Sequence, residues 1–160
     1  MKKLLIAAII SLSSVTTAAV AEVKVGIILG FTGPIESLTP AMRDGARMAF
    51  DEASNSGNLL GGETFTILEA DSTCVDSAAA TAAAEQLVAD GVAAIMGADC
   101  SGVTGAVNAN VAVPNGVLMV SPSATSPGLS KIADNGTFWR TAPSDLSLIH
   151  ISEPTRHSII

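Results

Sequence analysis

The chain is predicted to fold as an α/β domain built on a doubly wound parallel sheet. Short apolar runs rich in β-branched residues recur along it, at Val23–Leu29, Phe65–Ala70, Val92–Met96 and Val117–Val120, with a weaker candidate at Phe138–Thr141. Runs of this length fit strands buried on both faces. Segments with apolar residues at helical spacing separate them, and strands alternating with helices in this way specify parallel pairing through right-handed crossovers.

The elements follow in order. Met1-Lys2-Lys3, the apolar stretch Leu4–Leu12 and the small residues ending in Ala19-Val20-Ala21 have the three parts of a secretory signal peptide, with cleavage expected after Ala21. Its apolar stretch is too short for a stable membrane span, and the mature chain is expected to be soluble. No cysteine stands near the cleavage site, so a lipid-anchored start is not supported. After the first strand, Gly30-Phe31-Thr32-Gly33-Pro34 turns the chain. Thr39 and Pro40 then read as N-cap and first helical residue of a helix whose apolar side is Met42, Ala46, Ala49, Phe50 and Ala53. Asn55-Ser56-Gly57-Asn58 ends it. Asp76 is placed to cap a second helix with Ala79, Ala83, Leu87 and Val88 as its apolar face. A third helix is expected from Gly102 to about Ala112.

The far end has a different character. Leu146-Ser147-Leu148-Ile149-His150-Ile151-Ser152-Glu153-Pro154-Thr155-Arg156 matches, in one reading frame, the translation of a transposase-type sequencing-library adaptor. The expected organisation is therefore a signal peptide at 1–21, one domain at 22–145 that continues in a longer parent, and an adaptor-derived tail at 146–160. An incomplete domain of this kind is expected to expose apolar surface near its last strands.

The formal net charge is −7, and removing Lys2 and Lys3 with the leader makes it −9. That sign disfavours nucleic-acid binding and is explained by a solvated, soluble surface. Cys74 and Cys100 are the two cysteines, and a secreted context favours a disulfide between them. The competing reading is a reactive thiol at Cys100 beside a helix start, but the two histidines, His150 and His157, both fall in the tail.

Two polar turns carry the functional signal. Asp99-Cys100-Ser101-Gly102 and Ser121-Pro122-Ser123-Ala124-Thr125 each follow a predicted buried strand, and in open α/β sheets small ligands bind at the carboxyl ends of strands. The hydroxyl of Ser101 serves either as a helix cap or, with nearby N–H groups, as a donor to an external carboxylate. Ser123, Ala124 and Thr125 lie in a polar run bounded by Pro122 and Pro127 that exceeds what one cap requires. Leu38 and Phe31, in or after the first loop, are placed either to contact a ligand side chain or to pack the loop.

Catalysis finds no support in these residues. Ser101 and Ser123 have no histidine partner before the tail, and Asp71, Asp76 and Asp99 lack metal-ligand spacing, so capping and solvation account for them and no cofactor or metal is expected. The glycines at Gly97, Gly102 and Gly105 do not form a dinucleotide fingerprint. Arg43, Asp44, Arg47, Asp51 and Glu52 are assigned to an exposed helix face.

With these residues placed, the chain resembles the N-terminal lobe of the periplasmic Leu/Ile/Val-binding protein family, substrate-binding components of branched-chain amino-acid ABC transporters. The resemblance is carried by VKVGIILGFTGP (Val23–Pro34), Gly45-Ala46, the Cys74 and Cys100 pair, MGADCSG (Met96–Gly102), VLMVSPSATSPGLS (Val117–Ser130) and RTAPSD (Arg140–Asp145). It implies a two-lobed type I periplasmic binding protein fold that closes on its ligand, of which this chain holds one lobe, and a disulfide between the two cysteines. It also implies that Ser101 and Thr125 bind the α-carboxylate and α-amino end of an amino acid, with the Ser123 carbonyl at the ammonium. The partners implied are a small amino acid, amide or carboxylate and an inner-membrane permease, with periplasmic location. The first loop departs from the family by carrying Ile35-Glu36-Ser37-Leu38 where the branched-chain binder has an aromatic. The alternative role is the extracellular sensor domain of a signalling receptor.

Overall fold

The computed structural model describes residues 22–58 and 61–147. The leader at 1–21 and the tail from residue 148 onward lie outside the described residues. The strands are β1 Glu22–Leu29, β2 Thr64–Asp71, β3 Ala94–Gly97, β4 Leu118–Ser121 and β5 Phe138–Arg140. All pair in parallel in the order β2-β1-β3-β4-β5, the doubly wound sheet expected. The chain leaves β1 toward β2 and returns to its other side at β3. That reversal opens a crevice beyond the carboxyl ends of β1 and β3.

The helices are α1 Thr39–Asn55, α2 Ser77–Ala89 and α3 Ser101–Val107. The Asp76 carboxylate caps α2 as expected, accepting from the N–H groups of Ala78 and Ala79 at 2.9 and 3.0 Å. Its buried row is Ala80, Ala84 and Leu87, one residue round from the predicted face. Thr39 does not cap α1. Leu38 occupies the N-cap position without a side-chain bond, and the buried Thr39 hydroxyl donates back to the Glu36 carbonyl at 3.1 Å.

The third helix runs longer than expected and changes register. After α3 the chain forms a π-helical segment, Asn108–Ala112, and a final turn, Val113–Asn115. Pro114 accounts for this, since its ring opposes the carbonyl four residues back and it has no N–H to donate. The Val113 N–H reaches the Asn108 carbonyl five residues away, and the Asn115 side-chain amide bonds the Val111 carbonyl at 2.8 Å.

One layer of the core lies between the sheet and α2, α3 and the π segment, where Ile28, Ile95 and Met119 from the strands meet Leu87, Val103, Val107 and Val111. Among the described residues, the opposite face carries α1 alone, packed against β1 and β2. There Phe50 and Phe65 meet edge to face at 5.0 Å and Arg47 bridges to Glu69. Beyond α1, no other described residue covers that face. Val25, Ala94, Met96, Leu118 and Val120 of the strands, with Ala46, Ala49 and Phe50 of α1, line an apolar cleft of about 330 Å³. Apolar exposure near the last strands therefore falls on a sheet face, with Leu118 42% and Trp139 63% exposed.

Candidate functional site

The loops after β1, β3 and β4 converge at the carboxyl edge of the sheet. Two close backbone approaches shape them. Gly97 ends β3 at φ +133°, and a Cβ there would lie 1.9 Å from the Ile28 carbonyl oxygen. Gly33 has φ +104°, and its Cβ would lie 2.5 Å from the Thr73 carbonyl oxygen. Any side chain would push apart the loops that these glycines hold together.

Ser101 is the first residue of α3, and Cys100 is its N-cap, so the Ser101 hydroxyl does not cap the helix. It accepts a hydrogen bond from the Ser126 N–H at 3.1 Å, joining the two polar turns directly. That bond uses one of the hydroxyl's two lone pairs and leaves its proton free to donate. Ser123 donates its hydroxyl to the Asp99 carbonyl at 3.0 Å and lies 3.9 Å from the Met42 sulfur of α1. Ala124 is buried, its N–H bound to the Ser121 hydroxyl at 3.0 Å and its carbonyl accepting from Arg140 at 3.2 Å. Thr125 is half-buried, and its carbonyl accepts from the Asp145 N–H at 3.0 Å. Among the described residues, the Ser123 carbonyl and the Thr125 N–H and hydroxyl have no hydrogen-bond partner. The turn thus presents one acceptor and adjacent donors, the complement of a molecule that carries both an ammonium and a carboxylate.

Leu38 sits at the start of α1 with 56% of its surface exposed, and the α1 side chain in contact with the second turn is Met42, one turn further along. Cys74 and Cys100 form a disulfide with their Cα atoms 5.2 Å apart, which excludes the reactive-thiol reading. It ties the loop entering α2 to the residue before Ser101.

Two residues that hold the site were not singled out from the sequence. Asp99, assigned there to capping and solvation, is 3% exposed. Its carboxylate accepts from the Gly30 N–H at 2.7 Å, the Ser72 hydroxyl at 3.2 Å and the Cys100 N–H at 2.9 Å. Arg140, on β5, donates to the carbonyls of Ala124 and Ser126 and to the Ser130 hydroxyl, so one guanidinium spans the whole second turn. On the rim, Asp71 accepts from the Thr32 hydroxyl and from the N–H groups of Thr73 at 2.8 Å and Thr32 at 3.3 Å. Partial burial pushes this carboxyl up, but the hydrogen bonds from Thr32, Thr73 and Phe31 together outweigh it and hold it below its ordinary value.

The sequence that forms this sheet and its polar turns matches the family model described as "Periplasmic binding protein" over residues 22–148. The chain belongs to the periplasmic binding protein family. Among its relatives in this family, the Leu/Ile/Val-binding protein BraC3 of Rhizobium johnstonii is 35% identical over 111 residues, covering 69% of this chain and 29% of the relative. The leucine-specific-binding protein of Salmonella typhimurium is 31% identical over 129 residues, 81% of this chain and 34% of the relative. The branched-chain amino acid transporter substrate-binding protein LivJ of Streptococcus pneumoniae, solved with isoleucine, superposes with a TM-score of 0.70 at 29% identity, covering 78% of this chain and 35% of LivJ. The chain thus spans about a third of the length of these family members. The fold is that of type I periplasmic binding proteins.

Proposed function

We propose that residues 22–145 are the N-terminal ligand-binding lobe of an ABC-importer substrate-binding protein. The lobe captures an amino acid, or a related small amide or carboxylate, in the periplasm for delivery to a membrane permease. Residues 1–21 are its export signal and 146–160 lie outside the lobe. The reading is carried by the second turn, where the unpartnered Ser123 carbonyl stands beside the Thr125 N–H and hydroxyl, one turn away from the donor hydroxyl of Ser101. In it, Ser101 and Thr125 donate to the α-carboxylate, the Ser123 carbonyl accepts from the ammonium, Ala124 sets the turn, and Leu38 borders the ligand side chain. The leucine and isoleucine named for the relatives support an α-amino acid as ligand. The site works by binding, without conversion of what it holds.

The test is a titration of the ¹⁵N-labelled chain with L-leucine, L-isoleucine and a small carboxylate lacking the amine. The expected result is a weak but saturable shift of the Ser101, Ser123, Ala124 and Thr125 amide signals with the amino acids, weak because one lobe supplies only part of the ligand's contacts, and recovery of the ligand unchanged. Shifts confined to other residues, or consumption of the ligand, would overturn the reading.

A further inference from the structure

We propose that Asp99 is the positioning residue of this site: its buried carboxylate and its carbonyl together hold the loops after β1, β2 and β4 in register with the start of α3. The inference rests on the reading of those loops as a ligand site. Asp99 follows β3 in the crevice where strand order reverses, and each of its bonds ends on a different segment. The side chain takes the Gly30 N–H after β1, the Ser72 hydroxyl after β2 and the Cys100 N–H before α3, and the main-chain carbonyl takes the Ser123 hydroxyl after β4. A carboxylate this buried is tolerated only while its oxygens are hydrogen-bonded, so the loops that supply those bonds are locked by the same requirement.

The neighbouring crosslink does less. The Cys74–Cys100 disulfide joins the β2 loop to α3, and Cys74 packs against Gly30, but the crosslink makes no hydrogen bond to Gly30 and does not reach Ser123. The Arg140 guanidinium secures the second turn internally, from Ala124 to Ser130, without linking it to β1. Asp99 joins all of these segments, and it does so from below the groups assigned to ligand. A neutral amide cannot take its place. An asparagine whose oxygen keeps the Cys100 and Ser72 donors turns its NH₂ against the Gly30 N–H, donor to donor.

The experiment compares Asp99→Asn with Leu87→Ala, a packing variant on α2 remote from the loops, in the full chain with its disulfide formed. Amide exchange at Gly30, Ala124 and Ser126 is measured together with L-leucine affinity. In Asp99→Asn, exchange at all three amides is expected to rise by roughly tenfold or more beyond the global change, as loss of a bond to a charged group implies. L-Leucine affinity is expected to fall by a similar factor, while Leu87→Ala loses stability without either effect. Unchanged Ala124 and Ser126 exchange in Asp99→Asn, or equal loosening in Leu87→Ala, would overturn the proposal. If the native chain gives no response to L-leucine, the ligand reading fails while the exchange data still decide the positioning role. Should Asp99→Asn not fold, Ser123→Ala cuts the link to the Asp99 carbonyl, and it must free Ala124 and Ser126 while leaving Gly30 protected.

Discussion

The two faces of the sheet differ in how completely they are covered. On one side Leu87, Val103, Val107, Val111, Ile95 and Met119 close into a layer with almost no exposure. On the other, α1 covers β1 and β2, Met96, Leu118 and Val120 of β3 and β4 line an open cleft, and Trp139 of β5 is 63% exposed. Yet the polar turns rise from the shared carboxyl edge, and most of their supports (Asp99, Ser72, the disulfide and Arg140) connect the strand ends directly to one another. Site geometry and layer completeness are thus separate properties of this lobe, which is why the turns are well formed although one face is not closed.

The sharpest way to break this comparison is paired truncation. Leu87→Ala, on the packed face and 3% exposed, is expected to cost about 2–5 kcal/mol in urea unfolding, whereas Leu118→Ala, 42% exposed on the open face, costs about 1 kcal/mol or less. Equal losses would mean that the open face is closed in solution. Next in size is the disulfide, which staples the starts of α2 and α3 across 26 residues of sequence. Replacing both cysteines by serine is expected to remove about 3.5 kcal/mol on the chain-entropy model, read as a lower urea midpoint.

Insertion of volume separates the faces by sign. Ala84 has no exposed surface, so Ala84→Leu overpacks its layer and destabilises by about 1–3 kcal/mol. Ala46 borders the open cleft, so Ala46→Leu fills space and stabilises by roughly 0.5–2 kcal/mol. Melting temperatures of the two variants that move in the same direction would contradict the distinction.

Much of this was legible in the sequence. The apolar runs placed every described strand within a residue or two, although burial on both faces holds for β1 and not for β4 and β5, whose Leu118 and Trp139 lie on the open face, and Asp76 announced the start of α2. The convergence of the polar turns was legible because both follow parallel strands that end at one edge of the sheet, where the Ser126 N–H meets the Ser101 hydroxyl. Other features left no periodic trace. Helical spacing showed that Met42, Ala46, Ala49, Phe50 and Ala53 point toward the sheet, but spacing on one helix does not reveal whether a second completes the layer. Asp99 looked like a solvated loop residue, since nothing local tells that the chain turns inward after Gly97; the signal was a carboxylate wedged between a glycine-alanine strand end and a cysteine. Arg140 belonged to a recognisable motif, yet the carbonyls it serves lie 14 and 16 residues back and meet it only in the fold. Thr39 had the composition of a cap, and the chain used its hydroxyl to close the preceding turn instead.

The smallest expected effect tests the rim that joins the two faces. Asp71 holds the first loop to the β2 end through Thr32 and Thr73, and those bonds favour its charged form. Because its carboxyl is held below the ordinary value of about 3.9, the charged group's contribution is fully present above that pH and is lost as pH falls through the lower folded value. The carboxyl is largely solvent-screened, so the contribution is under about 1 kcal/mol. Asp71→Asn is therefore expected to narrow the difference in urea midpoint between pH 6 and pH 3, while leaving the packed-face variants' losses unchanged. A variant whose midpoint falls with acid as steeply as the native chain's would show that Thr32 and Thr73 hold the loop without help from the charge.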